Sequence, residues 1–296
     1  MAKTAGFPLS RERQREAHAF EAQQVLYAIL HHTVYRYSPP AAATVQLLRL
    51  TPRAEPHQRS QRWRLHAPGK LAAGSDGYGN ATHTLTHRAP HAELAIEVRG
   101  EIEVDALRDG RLDETRGLPP QVFLAATMYT LADAAVAEFA HRHLRGATAA
   151  ALMDFALAVS DTVRYTPGAT DVNTTAAQAL ALRRGVCQDQ AHLFLAACRA
   201  RDVPARYVSG YYYTTRTPHA ASHAWVDAWT SDHGWVSFDI THRCFAGNAL
   251  VRLAVGRDYA SAAPVRGVRY GGGAETLEVR VNMRPLHVDG AEDASR

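Results

Sequence analysis

Three side chains suited to covalent acyl chemistry occur in order along the chain. Cys187 follows Arg183-Arg184-Gly185-Val186, His223 opens the run His-Ala-Trp-Val-Asp-Ala-Trp229, and Asp239 closes Trp235-Val-Ser-Phe-Asp. A thiolate is a nucleophile, an imidazole holds and later delivers a proton, and a carboxylate fixes the imidazole tautomer and stabilises its cation. Such a set works near neutral pH without a metal. Taken singly, each residue has a plainer use. A lone cysteine is most often a small buried apolar side chain, and a lone histidine a polar surface or core residue. The combination is more specific than its parts.

These residues need elements to hold them. Asn173-Thr174-Thr175 supplies an N-cap for a helix through Leu182, and Gly185 stands where a terminating glycine would sit. A second helix is then expected from near Cys187 to about Arg201, closed by Pro204. That places Cys187 in a first turn, where unpaired N–H groups and the helix dipole favour a thiolate. Asp189 suits the same helix start and is read as structural. Strict alternation in Ser222–Trp229 puts His223, Trp225, Asp227 and Trp229 on one face of a strand. The return strand Trp235–Ile240 puts Trp235, Ser237 and Asp239 together. If Trp229 pairs with Trp235, Asp239 lies opposite Trp225 and diagonal to His223; a register shifted by two sets it directly opposite His223, and either brings the carboxylate within reach of the ring. Cys198 and Cys244 lack these activating features and read as structural.

Around the triad the chain changes texture. Short β-like runs fill Leu26–Val104, with turn residues at Asp76-Gly77 and Gly79-Asn80. Leu107–Pro120 reads as a linker. Helical spacing follows over Val122–Leu144 and Ala149–Val163, and strands return from Arg206. Gly271–Gly273 forms a turn before an alternating strand, Leu277–Val281. Leu9–Gln24 reads as a polar helix or loose tail.

Arg184-Gly-Val-Cys-Gln-Asp-Gln-Ala-His192, Pro204-Ala-Arg-Tyr207, His223-Ala-Trp-Val226 and Gly234-Trp-Val-Ser-Phe-Asp239 together resemble the bacterial transglutaminase-like family, whose members are often labelled cysteine proteases. His32–Tyr37, Leu48–Arg53 and Asp76–Asn80 resemble that family's N-terminal β region. Gly256-Arg-Asp-Tyr259, Pro264 and Gly267 match downstream. The resemblance spans about Leu26–Val281. It implies an α+β fold: a β-sandwich-like N-terminal domain, then a papain-like or transglutaminase-like core with helices packed on an antiparallel sheet. It also implies Cys187 as nucleophile, His223 as base and Asp239 as orienter. Ile240-Thr-His242 departs from the Pro-Thr more common after the family's aspartate.

The expected organisation is an extension over 1–24, a β-rich domain over 25–110, a catalytic core over 111–260, and a C-terminal strand and tail over 261–296. The reaction expected is cleavage of an amide in a protein or peptide through a thioester. Water as acceptor makes a protease or amidase, and an amine makes a transglutaminase. An arylamine-acetyltransferase-like enzyme shares the triad order, and a peptide-binding scaffold could retain the fold. Other classes find little support. The 33 Lys and Arg against 29 Asp and Glu give a net charge of +4, dispersed along the chain, so no nucleic-acid partner is expected. No apolar run is long enough to span a membrane, and the polar first 24 residues lack an apolar signal core, which makes a cytoplasmic location the expectation. Three cysteines do not make a disulfide framework. The sixteen histidines, including His219, His223, His233 and His242, show no metal-binding spacing, and no phosphate-binding glycine loop opens a helix. No metal or cofactor is therefore expected. Oligomeric state is not legible.

Overall fold

The computed structural model describes residues 24–114, 117–214 and 221–288. The reading of Leu9–Gln24 falls almost wholly outside them, as does His219. The chain begins with strands β1 (Val25–Leu48), β2 (Gln58–His66), β3 (Lys70–Ser75), β4 (Ala81–His87) and β5 (His91–Val104). A helical stretch follows with α1 (Ala134–His143), α2 (Ala149–Thr162), α3 (Ala176–Leu182) and α4 (Cys187–Arg199), interleaved by the two-residue strands β6 (Arg164–Tyr165) and β7 (Arg184–Gly185). Then come β8 (Ala205–Tyr212), β9 (Ala221–Thr230), β10 (Gly234–Asp239), β11 (Cys244–Phe245) and β12 (Leu250–Gly256). A short α5 (Tyr259–Ala262) leads to β13 (Val265–Gly271) and β14 (Ala274–Val288).

β1 buries alternate residues from Val25 to Tyr37, the period of a strand with one face on a core. It is the centre of a seven-stranded antiparallel sheet. Its first half pairs with β5 and β14, its second with β4 and β13. The C-terminal strands thus complete the sheet that the N-terminal strands begin. The β13–β14 turn uses Gly271 and Gly272 at positive φ, near +71° and +73°, where a side chain would be strained.

The second sheet has the order β11-β10-β9-β8-β12. Ala224, Val226 and Ala228 of β9, with Val236 and Phe238 of β10, join the core formed with α1, α2 and α4. Tyr211 of β8 and Val251 and Leu253 of β12 instead join the core of the seven-stranded sheet. This is the mixed α+β architecture expected, with helices on an antiparallel sheet and a β-rich N-terminal part. β12 was not among the expected strands, because a fully buried strand lacks alternation.

Two segments differ from the expectation. Val122–Leu144 is not one helix: a 3-10 turn covers Pro120–Leu124, and α1 starts only after its Asp133 cap, whose side chain accepts from Val136 N. Met128 and Leu131, which fit the helical spacing, are instead exposed in the intervening loop. There Thr130 Oγ accepts from Thr127 N, and a local side-chain bond of this kind competes with the helix. The first part of the expected linker, residues 107–112, packs on the second sheet. Leu112 N donates to Trp235 O, and a Cβ on Gly110 would stand 2.5 Å from Ser237 O. Glycine allows this close approach to β10.

Candidate functional site

α4 begins at Cys187 itself, after Val186 as N-cap. Asp189 Oδ2 accepts from Val186 N at 2.7 Å and from the Thr170 hydroxyl at 2.6 Å. Burial pushes the Asp189 carboxyl above its usual value, against the lowering effect of those hydrogen bonds. Its work is to close the first turn of the helix, as expected. The preceding helix ends differently from the expectation. Arg183, not a glycine, takes the left-handed C-cap conformation at φ 54°, and Gly185 lies in β7. β7 pairs in parallel with β6, setting Gly185 beside Tyr165. A Cβ at Gly185 would sit 2.6 Å from Asp189 Oδ2, so the glycine makes room for the capping carboxylate.

β9 and β10 pair with Trp229 opposite Trp235 and Val226 opposite Phe238. Continued by one residue, this register sets Asp239 across from Trp225 and diagonal to His223. The His223 Nε2–Asp239 Oδ2 distance is 2.9 Å, with both side chains buried. With Nε2 on the carboxylate, Nδ1 is the ring atom left for the thiol, and the half-buried Cys187 is near enough to this imidazole to help raise its pKa. The structure therefore brings Cys187, His223 and Asp239 together.

Electrostatics in the cluster favour charged partners. Burial of the His223 ring acts to lower its pKa, but the Asp239 charge, the hydrogen bond to Asp239 and the nearby Cys187 outweigh it, raising the pKa to about 10. Burial likewise opposes ionisation of Asp239, yet His223 and His242 hold its carboxyl far below the usual range. Cys198 is fully buried in α4, and burial pushes its thiol well above the ordinary value. Cys244 pairs opposite Asp239 on β11. All three cysteines are thiols rather than disulfides.

Supporting contacts come from several elements. Trp225 stacks near His223, ring centroids 5.9 Å apart at 21°, and donates Nε1–H to Ser237 Oγ at 3.1 Å. A Cβ on Gly210, the residue opposite His223 in β8, would stand 2.6 Å from the Trp225 ring and 2.0 Å from Val251 O. Gln190 Nε2 donates to Val163 O, and its Oε1 accepts from the Thr241 hydroxyl, tying α4 to the end of β10.

His242 is the participant that sequence reasoning missed. Its backbone N–H donates to Asp239 Oδ1 at 3.1 Å, and its Nδ1 lies 2.7 Å from Oδ2. Its ring stacks on Tyr212 with centroids 3.9 Å apart. The available signal was its place three residues after Asp239, in the tripeptide that departs from the family pattern. Among the described residues, His223, Asp239 and His242 also have donor atoms within 4.8 Å of one another, a spacing that can hold a metal ion.

Comparison with known proteins gives consistent matches. Residues 27–103 match the model of a bacterial transglutaminase-like N-terminal region, and residues 137–240 match the transglutaminase-like superfamily core. An uncharacterized protein of Mycobacterium leprae is 32% identical over 275 residues, covering 87% of this chain and 98% of its own. One from Mycobacterium tuberculosis is 30% identical over 297 residues, covering 89% and 94%. A crystal structure from Cytophaga hutchinsonii, named "Putative Cysteine Protease", shares the fold with a TM-score of 0.73 at 21% identity, covering 90% of this chain and 92% of its own.

Proposed function

The chain belongs to the transglutaminase-like superfamily and carries the bacterial N-terminal region of that family, and from this premise we propose that it is a cysteine-dependent amide hydrolase or acyl transferase acting on proteins or peptides. The observation that carries the proposal is the arrangement of one imidazole between a thiol and a buried carboxylate, with His223 Nε2 2.9 Å from Asp239.

The chemistry follows from the geometry. A Cys187 thiolate attacks the amide carbonyl carbon, forming a C–S bond and a tetrahedral oxyanion. The Cys187 N–H at the start of α4 is a ready donor to that oxygen. His223 passes its proton to the departing amine or ammonia as the C–N bond breaks, leaving a thioester. Water or a second amine then adds to the thioester while His223 takes its proton, and Cys187 leaves as thiolate. Asp239 stays ionised and holds the ring in the tautomer that serves both steps.

A product assay tests the reading. A glutamine-containing protein is followed in parallel for peptide cleavage, ammonia release and incorporation of a labelled primary amine. At least one product should form with wild-type protein and none with Cys187→Ala. Equal turnover by the two proteins, with the variant folded, removes Cys187 from the chemistry.

A further inference from the structure

The carboxylate that orients His223 is shared by a second imidazole. His223 Nε2 stands 2.9 Å and His242 Nδ1 2.7 Å from the same Asp239 Oδ2. Two imidazole nitrogens and a carboxylate oxygen suit zinc and its neighbours in the first transition row, whereas calcium and magnesium prefer oxygen alone. Bonds of about 2.0–2.2 Å in a tetrahedral zinc site set ligand atoms about 3.3–3.5 Å apart. The two hydrogen-bonded spacings here need to open only by about 0.4–0.8 Å to reach that range. The donors are held in advance: His223 by its strand and Trp225, Asp239 Oδ1 by the backbone N–H of His242, and the His242 ring by Tyr212. Among the described residues, the ion-pair partners of Asp239 are these two imidazoles. The His242 side chain is 33% exposed, which gives an ion a route to a cluster whose other members are buried.

We propose that His223, Asp239 and His242 form a binding site for a divalent transition-metal ion of the zinc type, and that its occupation switches off Cys187. The binding stands on the three ligands alone; the switch rests on the thiol–imidazole–carboxylate reading above. The ion bonds to the lone pairs of His223 Nε2 and His242 Nδ1 and to Asp239 Oδ2, with water completing the shell. The proton on His223 Nε2 leaves to solvent, and that of His242 moves from Nδ1 to Nε2. The hydrogen bond between His223 and Asp239 is lost. The imidazolium that balances the Cys187 thiolate becomes a neutral metallated ring, so the thiolate takes a proton from solvent, and with Nδ1 already protonated the ring cannot take that proton back. Cys187 is not among the residues whose donor atoms lie within 4.8 Å of one another, so the sulfur is not a ligand. This separates the site from direct capture of a metal by a thiolate.

Zinc binding to full-length Cys187→Ala protein, read by competition with a chromophoric chelator, tests the site. One equivalent should bind, and His242→Phe, which keeps a ring on Tyr212 but no donor, should weaken it at least tenfold in that background. His242→Asn gives a second variant should the first fail to fold, with circular dichroism checking both. In protein that retains Cys187, zinc should slow iodoacetamide alkylation of that residue, a chelator should restore it, and His242→Phe should raise the zinc concentration needed at least tenfold. Binding that is absent, or independent of His242, overturns the proposal. Equal zinc sensitivity of alkylation with and without His242 overturns the switch and points to capture by the thiol and His223. If Cys187 proves unreactive while binding still depends on His242, the catalytic reading falls and the metal site stands.

Discussion

At the scale of single residues, the useful contrast is between three thiols of one chain. Cys187 starts a helix beside a buried imidazole, whereas Cys198 is sealed in the core. Peptide mapping after brief iodoacetamide treatment near pH 7 should therefore find Cys187 labelled faster than Cys198 and Cys244. Asp239→Asn keeps the shape of the orienting group but removes its charge. Turnover should drop by about ten-thousandfold with little change in fold, as measured by steady-state kinetics and circular dichroism. The proton on His223 also couples folding to pH. Its pKa in the fold is about 10 against an ordinary 6.5, so the folded protein retains a proton that the unfolded chain releases. The resulting stabilisation is complete below about pH 6.5 and falls as pH rises toward 10. Thermal unfolding of wild type and His223→Gln should show a gap in midpoint that narrows across that window. A gap that widens would remove the charged imidazole from the site.

At the scale of elements, α4 decides where the sulfur points, and its start depends on a glycine and a carboxylate. Gly185→Ala drives a methyl group against the Asp189 side chain, whose Cβ and Cγ would stand 2.7 and 2.8 Å from the added carbon. The expected cost is about 1–3 kcal/mol in thermal or urea unfolding, together with slower alkylation of Cys187. Thr175→Ala is the matching test on α3. It removes a capping box with Gln178 at a cost of about 1 kcal/mol and should leave Cys187 labelling unchanged. The starts of α3 and α4 and the shared face of His223 and Asp239 were legible because caps, alternation and turn residues are local signals, whereas the structure selected between the two registers that keep that face. The start of α1 was not. Apolar spacing over Val122–Leu144 resembles a helix, but the Thr127–Thr130 turn and the Asp133 cap interrupt it. Gly185 resembles a helix stop in the sequence because no local signal shows the Asp189 side chain folding back against it.

At the scale of the whole molecule, a buried charge network links the seven-stranded sheet to the five-stranded one. Asp227 on β9 accepts from Arg206 on β8 and from Arg252 on β12, with closest contacts of 2.8 and 2.6 Å. Arg252 also meets Glu55, between β1 and β2, and Arg206 meets Glu114. Burial opposes charge on Asp227, but its two arginines hold the carboxyl far below the usual range. Asp227→Asn leaves two guanidinium groups facing a neutral amide inside the protein. Such a broken buried pair costs about 3–5 kcal/mol, a loss that urea unfolding would register. A cost under about 1 kcal/mol, the size of an exposed pair, would mean that solvent reaches the network. The two sheets are joined again by Asn80, fully buried, whose side chain both donates to Val255 O and accepts from Val255 N.

The order of Cys187, His223 and Asp239, the helix start at the cysteine and the strand faces of the other two follow from the sequence, because each depends on residues within a few positions of itself. The tertiary structure alone decided that β13 and β14 close on β1 and that Asp227 sits between arginines 21 positions before it and 25 after it in the chain. It also decided that His242 turns back onto Asp239 rather than into solvent. The pairing and the arginine contacts are long-range, and no local pattern of residues encodes them; His242 stands three residues from Asp239, but the Tyr212 ring on which it stacks comes from another strand.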